Sequence, residues 1–174
     1  MFLIFGGLED EIRVRCYTDA SFQTDRDDSQ SQADYVFTLN SGAITWKSSK
    51  QSVVAQSTTE SEYIAASEAA KEAVWMKKFI ADLGVVPSIQ KPIEIFCDNT
   101  GAIAQAKEPR SHHSTKHILR KFHYIQEVLE IGDIIVEKIH TDQNLADPFT
   151  KPMPQVRHEK HADSIGLRYA RQWI

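Results

Sequence analysis

Four carboxylates stand where predicted elements end or begin: Asp19, Glu62, Asp98 and Asp147. Brought together, they would repel one another, because like charges a few ångströms apart raise each other's pKa and resist joint ionisation. A hard divalent cation removes the conflict. Mg²⁺ suits such a set, since it takes one or two carboxylates and keeps places for water and substrate phosphate. Two such ions about 4 Å apart would serve both sides of a phosphodiester under attack by water. Each acid also has an ordinary explanation. Asp at a strand end is commonly a turn former, and Asp98 before Asn99-Thr100 could cap a helix. Glu62 resists that explanation, because it interrupts an otherwise apolar helical stripe and would be costly there without a partner. On position alone the four mark a candidate metal site in an α/β domain.

The elements that must position them are legible in the pattern. Ile12–Thr18 alternates apolar and polar residues, as a half-buried strand does. Tyr35–Leu39 and Ala43–Lys47 are strand-like and joined by Asn40-Ser41-Gly42, a hairpin signal. Residues 59–83 lack Gly and Pro and are rich in helix formers, with Gly84 to stop them. Steps of 100° align Glu62, Ala66, Ala69, Ala73, Met76, Ile80 and Leu83 on one face and turn Glu60 almost the opposite way. A fourth strand, 92–97, ends at Asp98, and a short helix covers 99–106. A helix from Ser114 to Ile131 is closed by Gly132, a fifth strand covers 133–139, and a last short helix from Asn144 holds Asp147. The order predicts an α/β fold with a single mixed five-stranded sheet, its first three strands antiparallel, and helices packed on it.

With 174 residues the chain suits one domain. The expected core runs over about 11–152, with 153–174 a tail. Cys16 and Cys97 form neither a disulfide framework nor a zinc set, and no segment reads as a membrane span or signal peptide, so an intracellular, cytoplasmic or nuclear, setting is expected. Net charge is −4, yet Lys107–His123 holds five bases (Lys107, Arg110, Lys116, Arg120, Lys121), one acid and four histidines. That segment is the expected phosphate contact, unless it is merely a solvated face. His113 and His117 have metal-pair spacing, but without the accompanying glutamate or a cysteine pair zinc is disfavoured.

Local sequence adds a resemblance. Tyr17-Thr18-Asp19-Ala20-Ser21, Trp46-Lys47-Ser48-Ser49-Lys50-Gln51, Ser57-Thr58-Thr59-Glu60-Ser61-Glu62-Tyr63-Ile64-Ala65-Ala66, Cys97-Asp98-Asn99-Thr100-Gly101-Ala102, Lys116-His117-Ile118 and Asp142 to Lys151 resemble, in order, the ribonuclease H region of Ty1/copia-type Pol polyproteins. The resemblance implies a ribonuclease H fold and catalytic, metal-holding carboxylates at Asp19, Glu62, Asp98 and Asp147. It also implies cleavage of the RNA strand of RNA–DNA hybrids, and a reverse transcriptase domain preceding this segment in the same polyprotein, with 1–10 a remnant of the connection to it. One Mg²⁺ (or Mn²⁺) would rest on Asp19 and Asp147, the other on Asp19, Glu62 and Asp98. Contacts to the hybrid are expected from Asn99, Ser61, Lys47, Lys50 and the basic segment. His140, seven residues before Asp147, is a candidate for the loop histidine that aids product release in some ribonucleases H. Two departures stand out: Asp34 replaces the small residue usual before Tyr35-Val36-Phe37, and Pro148 follows Asp147 directly. An integrase or transposase, which shares the fold, would place a helical Glu last, whereas here it comes second. A catalytically inactive or repurposed nucleic-acid- or protein-binding module is the other reading. The oligomeric state is left open.

Overall fold

The computed structural model describes residues 1–6, 12–24, 27, 29–108 and 122–169. Its elements are β1 (Phe2–Leu3), β2 (Val14–Ser21), β3 (Gln32–Leu39), β4 (Gly42–Lys50), α1 (Thr58–Leu83), β5 (Ile93–Cys97), α2 (Thr100–Lys107), α3 (Tyr124–Ile131), β6 (Ile134–Lys138), α4 (Asp147–Thr150), α5 (Gln155–Ser164) and β7 (Leu167–Arg168). A five-stranded sheet in the order β4-β3-β2-β5-β6 forms the centre. β2, β3 and β4 make the expected antiparallel meander, and β5 and β6 add on in parallel. The part of the expected 114–131 helix that falls on residues 114–121 lies outside the described residues, and α3 is its described remainder.

β1 and β7 form a second, two-stranded sheet, Phe2 opposite Arg168 and Leu3 opposite Leu167. The stretch read as a tail therefore holds a helix and a strand, and it meets the residues read as an upstream connection. Gly166 makes the junction. Its φ is +90°, and a Cβ there would come within 2.5 Å of the Ile4 carbonyl oxygen, so only glycine fits.

α1 lies across one face of the sheet. Ala66, Ala69, Ala73, Met76 and Ile80 are buried against Cys16, Tyr35, Phe37 and Ile95, and alanines let the helix axis come close. Leu83, the last member of the predicted stripe, is 55% exposed. A 26-residue helix is about 39 Å long, whereas the longest strand, nine residues, reaches roughly 30 Å. The helix outruns the sheet. The opposite face is covered by Leu145, Ala146 and Phe149 around Val36, Ala43 and Tyr17.

Ala69 is fully buried between helix and sheet. Ala69→Leu is expected to cost about 1–3 kcal/mol by overpacking. Thermal unfolding should show a midpoint several degrees lower.

Candidate active site

Strand register does most of the assembly. β2 and β5 pair in parallel with Tyr17 opposite Phe96, so two residues further on Asp19 comes level with Asp98. Asp19 is fully buried and Asp98, just past the end of β5, is half-buried. Glu62 arrives from α1, whose start is fixed by two side-chain caps. Ser57 accepts the Glu60 N–H at 3.2 Å, and the Glu60 carboxylate accepts the Gln56 N–H at 2.9 Å. This is close to a capping box, shifted by one residue. Glu60 is therefore buried as a cap, not turned outward as the helical stepping suggested. One turn of α1 places Glu62 so that its Oε1 accepts the Ala20 N–H at 3.3 Å, directly beside Asp19.

Asp147 comes from the other side. Asn144, fully buried, donates to the Thr18 carbonyl at 2.9 Å and accepts the Ala146 N–H at 3.2 Å, which ties the loop to β2 one residue before Asp19. Asp147 then opens α4, with Pro148 in its first turn, where the missing N–H would have no helical partner anyway. Thr141 donates to Asp98 Oδ2 at 2.7 Å, so the turn after β6 braces that carboxylate.

All four predicted carboxylates thus converge on one end of the sheet. Oxygens of Glu62 and Asp98 and the Cys97 sulfur lie within 4.8 Å of one another. Asp19 Oδ1 and Glu62 Oε2 are buried and have no hydrogen-bond donor. Burial, followed by the charges of Asp19 and Asp98, pushes the Glu62 carboxyl up to about 9. Burial also raises Asp19, against the opposing pull of Thr150 and Lys151. Cys97 is a poor ligand beside them: burial and the Glu62 charge hold its thiol protonated, pushed up to about 12. The donor set that remains is hard oxygen, with two buried oxygens lacking a positive partner. A divalent cation fits it.

Cations from the chain already touch part of the site. Lys151 Nζ lies 2.7 Å from Asp147 Oδ1 and 3.2 Å from Asp19 Oδ2, and Thr150 donates its hydroxyl to the same Asp19 oxygen. Arg157 stands 3.4 Å from Asp147 Oδ2 and 2.6 Å from Asp142. Partial burial works against the Lys151 ammonium, but its bond to Asp147 and the charge of Asp19 outweigh that and keep it firmly protonated. Neither Lys151 nor Arg157 was singled out from sequence. Lys151 had a readable signal, four residues after Asp147 on a predicted helix, where opposite charges meet. Arg157 had none, because its reach depends on where α5 folds back.

The other candidates scatter. Asn99 caps α2, its Oδ1 accepting the Ala102 N–H at 3.0 Å. Ser61 is buried next to Gln51, whose amide donates to the Ser61 carbonyl at 2.8 Å. Lys47 and Lys50 are exposed on β4, Lys47 within 3.8 Å of Glu68, and Lys107 is exposed at the end of α2. Arg110, Lys116, Arg120, Lys121 and three of the clustered histidines, His112, His113 and His117, lie outside the described residues. His140 is exposed, one residue before the Thr141 that braces Asp98, and its Nδ1 accepts the Asp142 N–H at 3.2 Å.

No family model matches the chain. Over 165 residues, 95% of its length, it is 41% identical to the retrovirus-related Pol polyprotein from transposon TNT 1-94 of Nicotiana tabacum. Over 156 residues it is 32% identical to the corresponding polyprotein from transposon RE1 of Arabidopsis thaliana. The chain spans only 12% and 10% of these two proteins. Among solved structures, it resembles LC11-RNase H1 in complex with RNA/DNA hybrid, with a TM-score of 0.54 and 16% identity over 79% of this chain and 93% of that one.

Asp34 is the cross-strand partner of Asp19, fully buried, with neither oxygen in a well-formed hydrogen bond. Burial pushes its carboxyl up to about 6, the Asp19 charge adding to this and the Ser48 hydroxyl across the strand opposing it. A folded-state pKa above the unfolded one stabilises the fold at low pH, and that advantage is lost as pH rises through the folded value. Asp34→Asn should therefore leave stability near pH 4 almost unchanged. At pH 8 it should raise stability, by at most about 3 kcal/mol, a pattern that denaturant titrations at the two pH values would show.

Proposed function

This chain is homologous to one segment of retrovirus-related transposon Pol polyproteins and has the ribonuclease H-like fold, and from that premise we propose that it hydrolyses the RNA strand of RNA–DNA hybrids endonucleolytically. The observation that carries this reading is the convergence of Asp19, Glu62, Asp98 and Asp147, with Asp19 Oδ1 and Glu62 Oε2 buried and without donors. Such a cluster ionises fully only when positive charge arrives. Asp19, Glu62 and Asp98 would hold one divalent ion, and Asp19 and Asp147 a second. When bound, the ions would supply positive charge for the attacking water and for the departing 3′-oxygen, leaving a 5′-phosphate and a 3′-hydroxyl.

The chain's own groups do the remaining work. Asp98 is the most exposed of the four, and the Thr141 hydroxyl donates to its Oδ2, which orders the carboxylate for the ion it would hold. Discrimination between RNA and DNA needs a contact to the 2′-hydroxyl. Asn99 is suited to this, since Oδ1 is committed to the α2 cap and the amide nitrogen is its remaining donor. Ser61 is too buried to reach a hybrid with its side chain in this arrangement. Lys47 and Lys50, on the exposed edge strand, are suited to phosphate contacts. In the parent polyprotein a reverse transcriptase region in cis would add affinity that an acidic isolated domain lacks.

The test is cleavage of a labelled RNA–DNA hybrid by the purified chain at low salt. The expected result is cutting of the hybrid's RNA strand with Mg²⁺ or Mn²⁺, no cutting of duplex DNA or duplex RNA, and loss of activity with EDTA or Asp98→Asn. Absence of cutting even with the polymerase region restored would leave a folded, inactive module.

A further inference from the structure

The two halves of the carboxylate cluster are not equivalent. On the Glu62 side, Asp19 Oδ1 and Glu62 Oε2 are buried and without a donor. On the Asp147 side the oxygens are taken. Lys151 Nζ bridges Asp147 Oδ1 at 2.7 Å and Asp19 Oδ2 at 3.2 Å, Thr150 adds its hydroxyl to Asp19 Oδ2, and Arg157 approaches Asp147 Oδ2 at 3.4 Å. One ammonium thus spans the same pair of carboxylates that the proposed function gives to one divalent ion.

The two occupants exclude each other. Mg²⁺ needs carboxylate oxygens at about 2.0–2.1 Å, and an ammonium held by those oxygens would face it at a distance where like charges repel strongly. Lys151 can leave. Its side chain is 45% exposed, and it is the first residue past α4, with extended backbone (φ −135°, ψ 135°), on a flexible four-carbon stem. The backbone tether does not move with it, because the Lys151 N–H donates to the Asp147 carbonyl at 3.2 Å.

We infer that Lys151 is a tethered competitor for the divalent ion at the Asp19–Asp147 position. It holds these carboxylates in order in the metal-free protein and must swing out before that position can bind its ion. The inference rests on the metal assignment of the proposed function. Its consequence is ordered loading: the Glu62–Asp98 position fills first, and the Asp147 position fills at higher ion concentration.

Calorimetric titration of the whole chain with Mn²⁺, checked by the Mn²⁺ electron spin resonance signal, tests this. The wild-type protein should show a tighter and a weaker ion. Lys151→Met should tighten the weaker one by roughly tenfold or more, by removing a positive charge from contact distance. It should also lower the melting temperature without metal, and Mn²⁺ should recover it. Lys151→Arg should stay near wild type. Should the methionine variant not fold without metal, Lys151→Gln, which can still donate to one carboxylate, should show the same tightening. Unchanged affinity of the weaker ion in Lys151→Met or Lys151→Gln, with the tighter ion still bound, overturns the competitor while leaving the hydrolase reading intact. Absence of any bound ion in wild type and variants alike overturns both.

Discussion

Asp19 and Glu62 sit almost out of reach of water and within electrostatic range of each other, and the surrounding structure bears on keeping them there. Neither carboxylate is comfortable. Burial and the charges of Asp19 and Asp98 push Glu62 far above an ordinary glutamate, and burial raises Asp19 as well, against the pull of Thr150 and Lys151. A fold that brings such groups together forgoes stability at this point. The apolar contact between α1 and the sheet, rich in alanine and fully closed around Ala69 and Ala73, supplies the rigidity that holds them.

Three separate devices aim the acids. Parallel register between β2 and β5 levels Asp19 with Asp98. The Ser57 and Glu60 caps fix where α1 begins, and therefore which turn presents Glu62. Asn144 pins the last loop to Thr18 and sets the start of α4. Each is a hydrogen bond or ladder that involves none of the four carboxylates themselves. An offset of one residue in any of them would turn a carboxylate away, because side chains alternate faces along a strand and rotate by 100° per residue along a helix.

Much of this is legible in the sequence, and the boundary of what is legible has physical causes. The five central strands and α1 follow from alternation and from a long run without Gly or Pro, and Glu62 stands out because an acid on an apolar stripe is costly. Glu60 misleads the same stepping rule, which describes a helix interior; at a first turn the unpaired backbone N–H groups recruit side chains back toward the chain. Leu83 misleads it at the other end, where helix and sheet differ in length. The pairing of Phe2–Leu3 with Leu167–Arg168 carries no local pattern, since two-residue strands are too short for one. Ser61, a candidate contact to the hybrid by sequence, is instead buried against Gln51, a long-range contact that no local pattern announces.

The charges that answer the cluster are also local. Asp147 is followed by a lysine four residues on, and α5 returns an arginine to its other oxygen, whereas no basic side chain approaches Glu62 among the described residues. This asymmetry follows from topology. Asp147 is buried at the start of the short turn that ends at the half-exposed Lys151, while Glu62 enters from α1 against Ala20 of the central strand β2, where a lysine would have to be buried with it. A buried lysine is costly unless fully paired, and burial with the neighbouring charges raises the Glu62 carboxyl instead.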